Sequence, residues 1–273
     1  MDSQKRDDHG ALGGAAIHEK WVSMYRTPEA QRFYEIAFDE IVRRLAPVPG
    51  AVILDAGCGS CAKSVLLAAR GMRVVATDFS EDALTLGAKT VKSQGLEQMV
   101  TLRQGDLMAL PFKDGEFHYA ICWGVLMHVP HLEHAMAELA RVVAPGGVLV
   151  LSEGNVNSLQ SMSYRFLKRL LGRDRGNVVR TSSGLETHER TAQGSLVTRQ
   201  TDMDWLSQAF GNLGFRTEAR IAGQFSEVFA VVPWRWLRHV VHFGNRAWFN
   251  YIRLPGPAYG NILFFRKDFI KRT

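Results

Sequence analysis

Residues 54–62 read LDAGCGSCA, and this short segment carries most of the information about the architecture. A run of apolar residues enters it and apolar residues at helical spacing follow it, so the pattern predicts a β-strand, a tight turn and the start of a helix. Glycine at positions 57 and 59 lets the backbone turn sharply and lets a ligand approach main-chain N–H groups at the helix start. The segment therefore predicts a ligand-binding loop after the first strand.

Strands and helices alternate on both sides of this loop. Thr27 and Pro28 are typical of an N-cap and a first helical position, and apolar residues then recur to Leu45 at spacings of three and four. Strands joined by crossover helices pair in parallel, so we predict an α/β fold: a Rossmann-like, doubly wound, seven-stranded, mostly parallel sheet with helices on both faces. The predicted strands are 51–55, 73–77, 100–103, 117–123, 148–152, 215–221 and 262–265.

The segments outside this pattern are assigned by composition. Residues 1–17 are polar and lack a period, which predicts a disordered leader before a single domain at 18–273. Residues 30–153 form the predicted cofactor-binding half. Residues 154–200, predicted as a long structureless loop, and 222–259 are interpreted as insertions that form a substrate lid over the carboxyl ends of the strands.

The C-terminal segment is basic and aromatic. From Pro233 to Thr273 there are eight Arg or Lys residues and one acid, and aromatic residues such as Trp236 and Phe243 lie among them. Such a segment fits the solvated end of a packed lid, peripheral contact with a membrane surface, or nucleic-acid binding, of which the last is least favoured.

Composition also bears on the compartment. The chain has no run of about 18 apolar residues, and its polar N-terminus lacks the apolar stretch of a secretory signal. Three cysteines, an odd number, fit free thiols in a reducing compartment better than a disulfide framework. We therefore expect a cytoplasmic protein, with peripheral contact at the inner membrane face as an option for the basic segment.

Charge decides between two interpretations of the glycine loop. Gly57, Gly59 and Ala62 satisfy the dinucleotide fingerprint, and Asp78 lies about where a ribose-binding acid belongs, so an NAD(P)-dependent oxidoreductase is one hypothesis. However, Asp55 precedes the first glycine by two residues and would repel a pyrophosphate at close range. A cofactor with a cationic amino-acid end and no phosphate fits better, unless Asp55 merely caps the next turn.

Four motifs stand together in the order and spacing of one family: Asp55 to Gly59, the acid Asp78, Gly105-Asp106 followed by Leu110 to Phe112, and Arg141 to Gly147. On these motifs the chain resembles a class I S-adenosylmethionine-dependent methyltransferase over residues 30–153. It is most similar to the small-molecule type, which includes enzymes of ubiquinone and menaquinone biosynthesis and of glycan pathways. The resemblance implies S-adenosyl-L-methionine as the cofactor.

The resemblance also implies roles for individual residues. The first loop would line the methionine part of the cofactor, Asp78 would bind the ribose hydroxyls, and Asp106 would meet the adenine amino group. Cys61 departs from the pattern, because the family often has a third glycine there. The cofactor-binding set implied in this way is Asp55, Gly57, Cys58, Gly59, Asp78, Phe79, Asp106, Leu107 and Trp123, with Trp21 and Tyr25 closing over the cofactor or serving as ordinary packing aromatics.

Methyl transfer needs alignment and, for an oxygen nucleophile, a base, but no metal. Cys58 and Cys61 form a C-x-x-C pair without a second cluster, so no metal site is predicted. His128 and His131 follow the fourth strand, where the family's acceptor approaches the methyl group, and an imidazole takes a proton near neutral pH. His128 has a structural alternative, which is to tie its loop to the next helix. Glu153 is the further catalytic candidate, with His188 or Glu189 behind it.

The sequence therefore predicts methyl transfer to a small-molecule, sugar or lipid-linked acceptor, with oxygen as the expected site. Enzymes that methylate DNA bases carry an Asn- or Asp-Pro-Pro-aromatic signature after the fourth strand, whereas this chain has Cys122-Trp123-Gly124-Val125. A nucleic-acid acceptor is therefore disfavoured. A non-catalytic scaffold that keeps the methyltransferase fold is the other alternative, beside the oxidoreductase.

Overall fold

The structure is a computed structural model that describes residues 12–25, 27–171, 178–191 and 194–269. Its centre is a seven-stranded sheet with the order β3-β2-β1-β4-β5-β10-β9. β10 runs antiparallel to β5 and β9, and the pairs among the other five strands are parallel. The predicted fold class is confirmed. The strands of this sheet are β1 (Val52–Ala56), β2 (Arg73–Asp78), β3 (Val100–Gln104), β4 (Phe117–Trp123), β5 (Val143–Gly154), β9 (Phe215–Ala222) and β10 (Gly260–Lys267).

A second sheet and the helices complete the described part of the chain. The second sheet is antiparallel, with the order β6-β7-β8. Its strands are β6 (Val178–Thr181), β7 (Gly184–Thr191) and β8 (Gly194–Thr201). The helices are α1 (Ala15–Tyr25), α2 (Pro28–Leu45), α3 (Ser64–Ala68), α4 (Glu81–Ser93), α5 (Leu132–Val142), α6 (Leu159–Leu170), α7 (Met203–Asn212) and α8 (Arg235–Ala247).

Local signals explain the helices that were predicted correctly. The Thr27 hydroxyl accepts a hydrogen bond from the Ala30 N–H, and Pro28 begins α2, as the sequence indicated. The Ser80 hydroxyl caps α4 in the same way, at the Ala83 N–H. α2 then buries its apolar stripe, and burial of each large side chain in such a stripe contributes about 1.5–3 kcal/mol. The fully buried members of that stripe include Phe33, Phe38 and Ile41.

The central sheet is buried on both faces because its strands carry apolar residues at consecutive positions. In β1, Ile53 packs into the core layer that contains α2 and α3, while Leu54 points to the layer that contains α5 and α7. Both side chains are completely buried. This arrangement fixes β1 in the middle of the sheet and places the loop that follows it at the carboxyl edge.

Two predictions of organisation are wrong. Residues 155–200 are not a structureless loop, because α6 and the β6-β7-β8 sheet lie within them. The strands escaped sequence analysis because they bury little apolar surface; Val178 and Val179, for example, are exposed. The disordered leader predicted up to residue 17 also ends too late, because α1 begins at Ala15. Residues 1–11 lie outside the described residues.

α1 is held in place by contacts on both sides. His18 is buried, and its Nε2 lies 2.9 Å from the carbonyl oxygen of Leu12. The Ser80 hydroxyl donates to the Gly13 carbonyl oxygen at 2.9 Å, which joins the start of this segment to the cap of α4. α1 therefore lies against the carboxyl edge of the sheet.

Candidate active site

A cavity of about 480 Å³ opens at the carboxyl edge of the central sheet. Segments that are far apart in sequence line it: α1, the loop after β1, the ends of β2, β4 and β5, and the loops before β10. Of the predicted site residues, His131 and the third choices His188 and Glu189 are missing from the lining. The predicted residues that line the cavity are Tyr25, Asp55, Gly57, Cys58, Gly59, Asp78, Phe79, Asp106, Leu107, Trp123, His128 and Glu153.

The glycine loop turns tightly beneath this cavity. Gly57 and Gly59 have φ angles of 79° and 52°, in the left-handed region that favours glycine. The N–H groups of Gly57 and Cys58 both donate to the Thr77 carbonyl oxygen, at 2.8 and 2.9 Å. A Cβ atom on Gly57 would lie 2.6 Å from Cγ2 of Val125. Position 57 therefore requires glycine both for its backbone angle and for space.

Cys61 stands where the family that the chain resembles often has a third glycine, and a glycine on a neighbouring helix leaves room for its side chain. Cys61 is fully buried and has a φ of 59°, a left-handed conformation that a side chain adopts only at some cost. A Cβ atom at Gly87 in α4 would lie 2.7 Å from the Cys61 sulfur, so the missing side chain at Gly87 makes the room. The loop keeps its turn, and the substitution is matched by a glycine on the neighbouring helix.

The thiols of Cys58 and Cys61 lie 3.7 Å apart. Both cysteines and Cys122 are buried free thiols. The hydrogen bond with Cys61 and burial raise the pKa of the Cys58 thiol well above its usual range, so this sulfur is protonated at neutral pH. A protonated buried thiol is a packing group of the loop.

Asp78 connects the glycine loop to the second strand. Its Oδ2 accepts from the Gly59 N–H at 2.8 Å, and its Oδ1 accepts from the Ser80 N–H at 3.0 Å. Burial raises the pKa of this carboxyl, and these backbone donors act against the rise. Each carboxylate oxygen still has a second lone pair, so Asp78 can also accept from two ligand hydroxyls.

Asp55 is buried and does not cap the following helix through a backbone N–H. Its Oδ2 accepts from the Ser64 hydroxyl at 2.6 Å. Burial raises the pKa of Asp55 to about 6, so the carboxyl is charged at physiological pH. The negative charge beside the glycine turn, which the sequence argument required, is therefore present in the lining of the cavity.

Asp106 turns the chain after β3. Its Oδ1 accepts from the Met108 N–H at 2.8 Å, and an isolated bridge joins Asp106 to Ala109. Leu107 is buried within this turn and lines the cavity, as does Phe79 after β2. This geometry is compatible with the prediction from the family resemblance that Phe79 and Leu107 lie on either side of the adenine ring.

His128 ends a short 3-10 turn, Leu126–His128, and one contact shows which ring nitrogen carries a hydrogen. Its Nδ1 lies 2.9 Å from the Val197 carbonyl oxygen. A carbonyl only accepts, so Nδ1 carries the hydrogen and Nε2 of the neutral ring has a free lone pair. Burial lowers the pKa of His128, which keeps the ring neutral. The Val197 contact ties the loop to β8 and not to α5, the connection that the structural alternative expected.

The second sheet and α1 hold the His128 loop from two sides. The buried Arg199 guanidinium donates to the carbonyl oxygens of Leu126 and Val129, at 2.8 and 3.2 Å, and pairs with Glu186 at 2.9 Å. The Trp21 ring stacks on the His128 ring with a centroid distance of 5.2 Å and an angle of 24°. The insertion and the N-terminal helix therefore position a residue that belongs to the central domain.

Glu153, at the end of β5, is a buried carboxyl with one oxygen paired. Its Oε1 accepts from the Leu126 N–H at 3.1 Å, whereas Oε2 has no hydrogen-bond partner among the described residues. The residue is only 2% exposed, and burial raises its pKa to about 8. At neutral pH the carboxyl is therefore mostly protonated, and the proton lies on Oε2 because Oε1 faces a donor.

His131, predicted as a catalytic candidate, lies outside the cavity lining. It is the exposed N-cap of α5, and its ring lies 6.1 Å from that of His134, away from the cavity lining. The chain turns at Pro130, so the two histidines face different surroundings. His188 and Glu189, the third choices, also lie outside the lining; the His188 Nε2 lies 3.5 Å from Glu186.

Sequence analysis missed the residues that the second insertion and α2 contribute to the cavity. Gln224 and Glu227 lie between β9 and α8, and Tyr259 directly precedes β10. Burial raises the pKa of Glu227 to about 7. No local motif marks these residues, because their position depends on how the chain between β9 and β10 folds back. A single acid in a segment dominated by basic residues was the one available signal.

Comparisons with known proteins agree with this site. A family model described as "Methyltransferase domain" matches residues 54–151. The demethylmenaquinone methyltransferase of Bacillus cytotoxicus is 38% identical over 117 residues, which cover 42% of this chain and 49% of that protein. The chain therefore matches about half the length of this curated relative. The residues that the family model matches include the glycine loop.

Two solved structures share the fold. Magnesium protoporphyrin IX methyltransferase from Synechocystis PCC 6803, with bound SAH, has a TM-score of 0.62 at 18% identity and covers 98% of this chain and 100% of its own. The [4+2]-cyclase SpnF has a TM-score of 0.56 at 18% identity, with coverages of 86% and 81%. At such identity the likeness is one of fold. The cyclase also illustrates that the fold alone does not fix the reaction.

Proposed function

We propose that this chain, a class I S-adenosylmethionine-dependent methyltransferase by its domain and its fold, transfers the methyl group of that cofactor to an oxygen atom of a small-molecule acceptor. One observation carries the proposal: a single cavity joins the glycine loop, Asp78 and Asp106 to His128 and Glu153. A cofactor held by the first group would therefore lie next to titratable side chains of the second.

The residues that line the cavity fit the cofactor. The glycine loop and Asp55 would hold its amino-acid end, the free lone pairs of Asp78 would accept from the ribose hydroxyls, and Asp106 would meet the adenine amino group between Phe79 and Leu107. Trp123 and Tyr25 line the same cavity and would limit access of water. When bound, the cofactor supplies a methyl group on a positively charged sulfur, which is already activated for displacement.

The protein would add alignment and a base. His128 is neutral, its Nδ1–H donates to Val197, and its Nε2 lone pair can take the proton of an acceptor hydroxyl as the oxygen attacks the methyl carbon. The bound cofactor would supply the leaving group, a thioether that would keep the electrons of the methyl–sulfur bond. Arg199 and Trp21 would hold the ring in position during this transfer.

The acceptor class is inferred from the relative and from the lining. The Bacillus cytotoxicus relative is named for a demethylated menaquinone, which supports a small-molecule acceptor of the quinone class. Apolar and aromatic side chains contribute much of the wall, which suits an acceptor with an apolar body. A sugar or a lipid-linked glycan remains a second possibility from the glycan-pathway resemblance.

The exposed faces of α6 and α8 support peripheral contact with an anionic lipid surface. On α8, Trp236, Val240 and Phe243 recur at spacings of four and three and are 65%, 55% and 67% exposed. On α6, Phe166 and Leu170 are also exposed, and basic residues occupy the last turn. Apolar and aromatic side chains beside Arg and Lys bind the interface of anionic membranes. In the described residues no helix is long and apolar enough to cross a membrane.

Methyl transfer from labelled cofactor tests the proposed function. The purified protein would be incubated with a small-molecule extract and cofactor that carries a deuterated methyl group, and products would be detected by mass spectrometry. The proposal predicts a product that carries the label on oxygen and is absent without the protein. A control variant that is folded but no longer binds the cofactor should give no labelled product. This control separates transfer by the protein from transfer by a contaminating enzyme. A protein that binds the cofactor but labels no compound would support the scaffold alternative.

A further inference from the structure

The cavity contains polar atoms that the proposed cofactor contacts do not use. They belong to four side chains from three parts of the chain: Glu153 at the end of β5, Gln224 and Glu227 between β9 and α8, and Tyr259 before β10. Tyr259 interacts electrostatically with both Glu227 and Glu153, and Gln224 lies three residues before Glu227. None belongs to a motif of the cofactor-binding half.

Two of these atoms are buried without partners. Glu153 Oε2 and Gln224 Nε2 have no hydrogen bond with any described residue. A buried polar group without a partner destabilises the protein, so such groups in a cavity indicate a ligand that pairs with them. The Gln224 backbone is fixed, since its carbonyl oxygen accepts from the Gly260 N–H at 2.8 Å.

Glu227 adds a carboxyl at the same end of the cavity. Its main-chain N–H donates to Gln160 Oε1 at 2.9 Å, which fixes the backbone beside the start of α6. Its charge raises the pKa values of Tyr25, Tyr34 and Tyr259, so three phenol rings lie near it.

Two lysines line the cavity together with its acids. Lys63 Nζ lies over the Tyr34 ring, 3.0 Å from its centroid. Lys20 belongs to α1 and is exposed. Besides Glu153, the acids of the lining are Asp55, Asp78, Asp106 and Glu227, so acids outnumber lysines and the balance of charge in the cavity is negative once Glu227 is ionised.

Given the proposed function, we infer that Glu153, Gln224, Glu227 and Tyr259 form the acceptor subsite, and that this subsite selects neutral or cationic hydroxyl-bearing acceptors against anionic ones. Gln224 Nε2 would donate to an oxygen of the acceptor, and Glu227 would accept from a hydroxyl or ammonium group. An acceptor carboxylate placed there would face a like charge in a water-poor cavity, and that juxtaposition opposes binding.

A matched set of three diphenols tests the charge selection. Catechol is neutral, protocatechuate adds a carboxylate to the same ring, and dopamine adds an ammonium. Calorimetry with the full chain saturated with S-adenosylhomocysteine would give the Kd of each. We expect protocatechuate to bind at least about tenfold more weakly than catechol, and dopamine to bind at least as tightly as catechol.

Glu227→Gln keeps the shape of the side chain and removes its charge. The penalty is the ratio of the Kd for protocatechuate to the Kd for catechol. We expect this ratio to fall by about tenfold in the variant. Glu97→Gln, which changes the net charge equally at an exposed position outside the cavity, should leave the penalty unchanged. The Kd for S-adenosylhomocysteine serves as the check that each variant is folded, and Glu227→Ala is the second variant if Glu227→Gln fails that check.

Three results would overturn the inference: equal affinity of the wild type for catechol and protocatechuate, an unchanged penalty in both Glu227 variants, or no binding of any diphenol to the cofactor-loaded protein. A wild-type protein that does not bind S-adenosylhomocysteine at all would overturn the proposed function, and the inference with it. The two failures are therefore distinguishable in one set of titrations.

Discussion

The two walls of the cavity differ in how their residues are specified. The cofactor wall consists of short local segments, the glycine loop, Asp78 and Asp106, whose positions follow from the strand ends of one sheet. The acceptor wall is assembled from α1, the second sheet and the chain between β9 and β10. The first wall is therefore built by local sequence and the second by long-range packing, and the residue that lies between them is His128.

That difference suggests how the protein divides its tasks. A fixed wall for a common cofactor needs turns, caps and glycines that tolerate little change. A wall for a particular acceptor needs only side chains that converge in space, so insertions of different sequence can supply it on the same fold. Arg199 and Trp21 link the two, because each contacts the His128 loop from an element outside the cofactor half.

The largest expected effect is on kcat and concerns His128, which lies where the two walls meet. Replacement His128→Asn keeps a side-chain donor for the Val197 carbonyl oxygen but removes the basic nitrogen. We expect kcat to fall by roughly 100- to 10,000-fold, the usual contribution of a general base, with little change in cofactor Kd. The measurement is single-turnover methyl transfer over a pH series.

His131→Asn is the matched control, since it makes the same change at the exposed N-cap of α5. It should leave kcat within about twofold of the wild type, because a surface substitution alters stability by only a few tenths of a kcal/mol. Similar losses in both variants would show that His128 is a structural residue and would remove the proposed base.

A second effect is confined to the cofactor wall. Asp78→Ala removes the proposed acceptor for the ribose hydroxyls and the hydrogen bonds from the Gly59 and Ser80 N–H groups. Two charge-assisted hydrogen bonds of about 1.5–3 kcal/mol each lead us to expect a loss of at least 100-fold in affinity for S-adenosylhomocysteine by calorimetry. Asp82→Ala, at an exposed position in the first turn of α4, is the control and should bind normally. Normal binding by both variants would contradict the assignment of Asp78.

A third prediction tests whether burial of Glu153 in the acceptor wall lowers the stability of the folded protein. Burial raises the pKa of Glu153 to about 8 from 4.5, so between these values the unfolded chain loses a proton that the folded protein keeps. Stability therefore falls as pH rises from about 4.5 to 8, and it stays low above that range. Glu153→Gln should raise Tm by a few degrees at pH 9 and by little at pH 4.

Thermal unfolding of both proteins at the two pH values measures this effect, with Glu97→Gln as the exposed control. An equal shift at both pH values would mean that ionisation of Glu153 is not linked to folding. A lower Tm at pH 9 would mean that the charged form is stabilised by a partner, and it would contradict the account of Oε2 as an unpaired atom.

The smallest expected effect lies outside both walls. Replacement of Trp236 and Phe243 by Ala removes two exposed side chains of α8. We expect the partition coefficient onto vesicles that contain phosphatidylserine to fall by roughly tenfold or more, while methyl transfer to a water-soluble acceptor is unchanged. Co-sedimentation measures the binding, with phosphatidylcholine vesicles as the control. Wild-type protein that does not bind anionic vesicles would remove the membrane proposal.

The success of sequence analysis follows the same division. The strands of the central sheet, the caps at Thr27 and Ser80 and the cofactor wall were predictable because each depends on a few neighbouring residues. β6 to β8 were not, because their strands pair with one another and bury almost no apolar surface. Glu227 and Gln224 were missed because only the path of the chain before β10 brings them to Glu153. His131 was misplaced because a turn at Pro130 separates two similar residues.

Calorimetric titration of the purified chain with S-adenosylhomocysteine and, separately, with NAD⁺ tests the central claim most directly. The buried negative charge of Asp55 beside the glycine turn should favour a ligand with an ammonium group and disfavour a pyrophosphate. We predict saturable binding of S-adenosylhomocysteine and no measurable heat with NAD⁺. Binding of NAD⁺ without binding of the thioether would contradict this account and support an oxidoreductase.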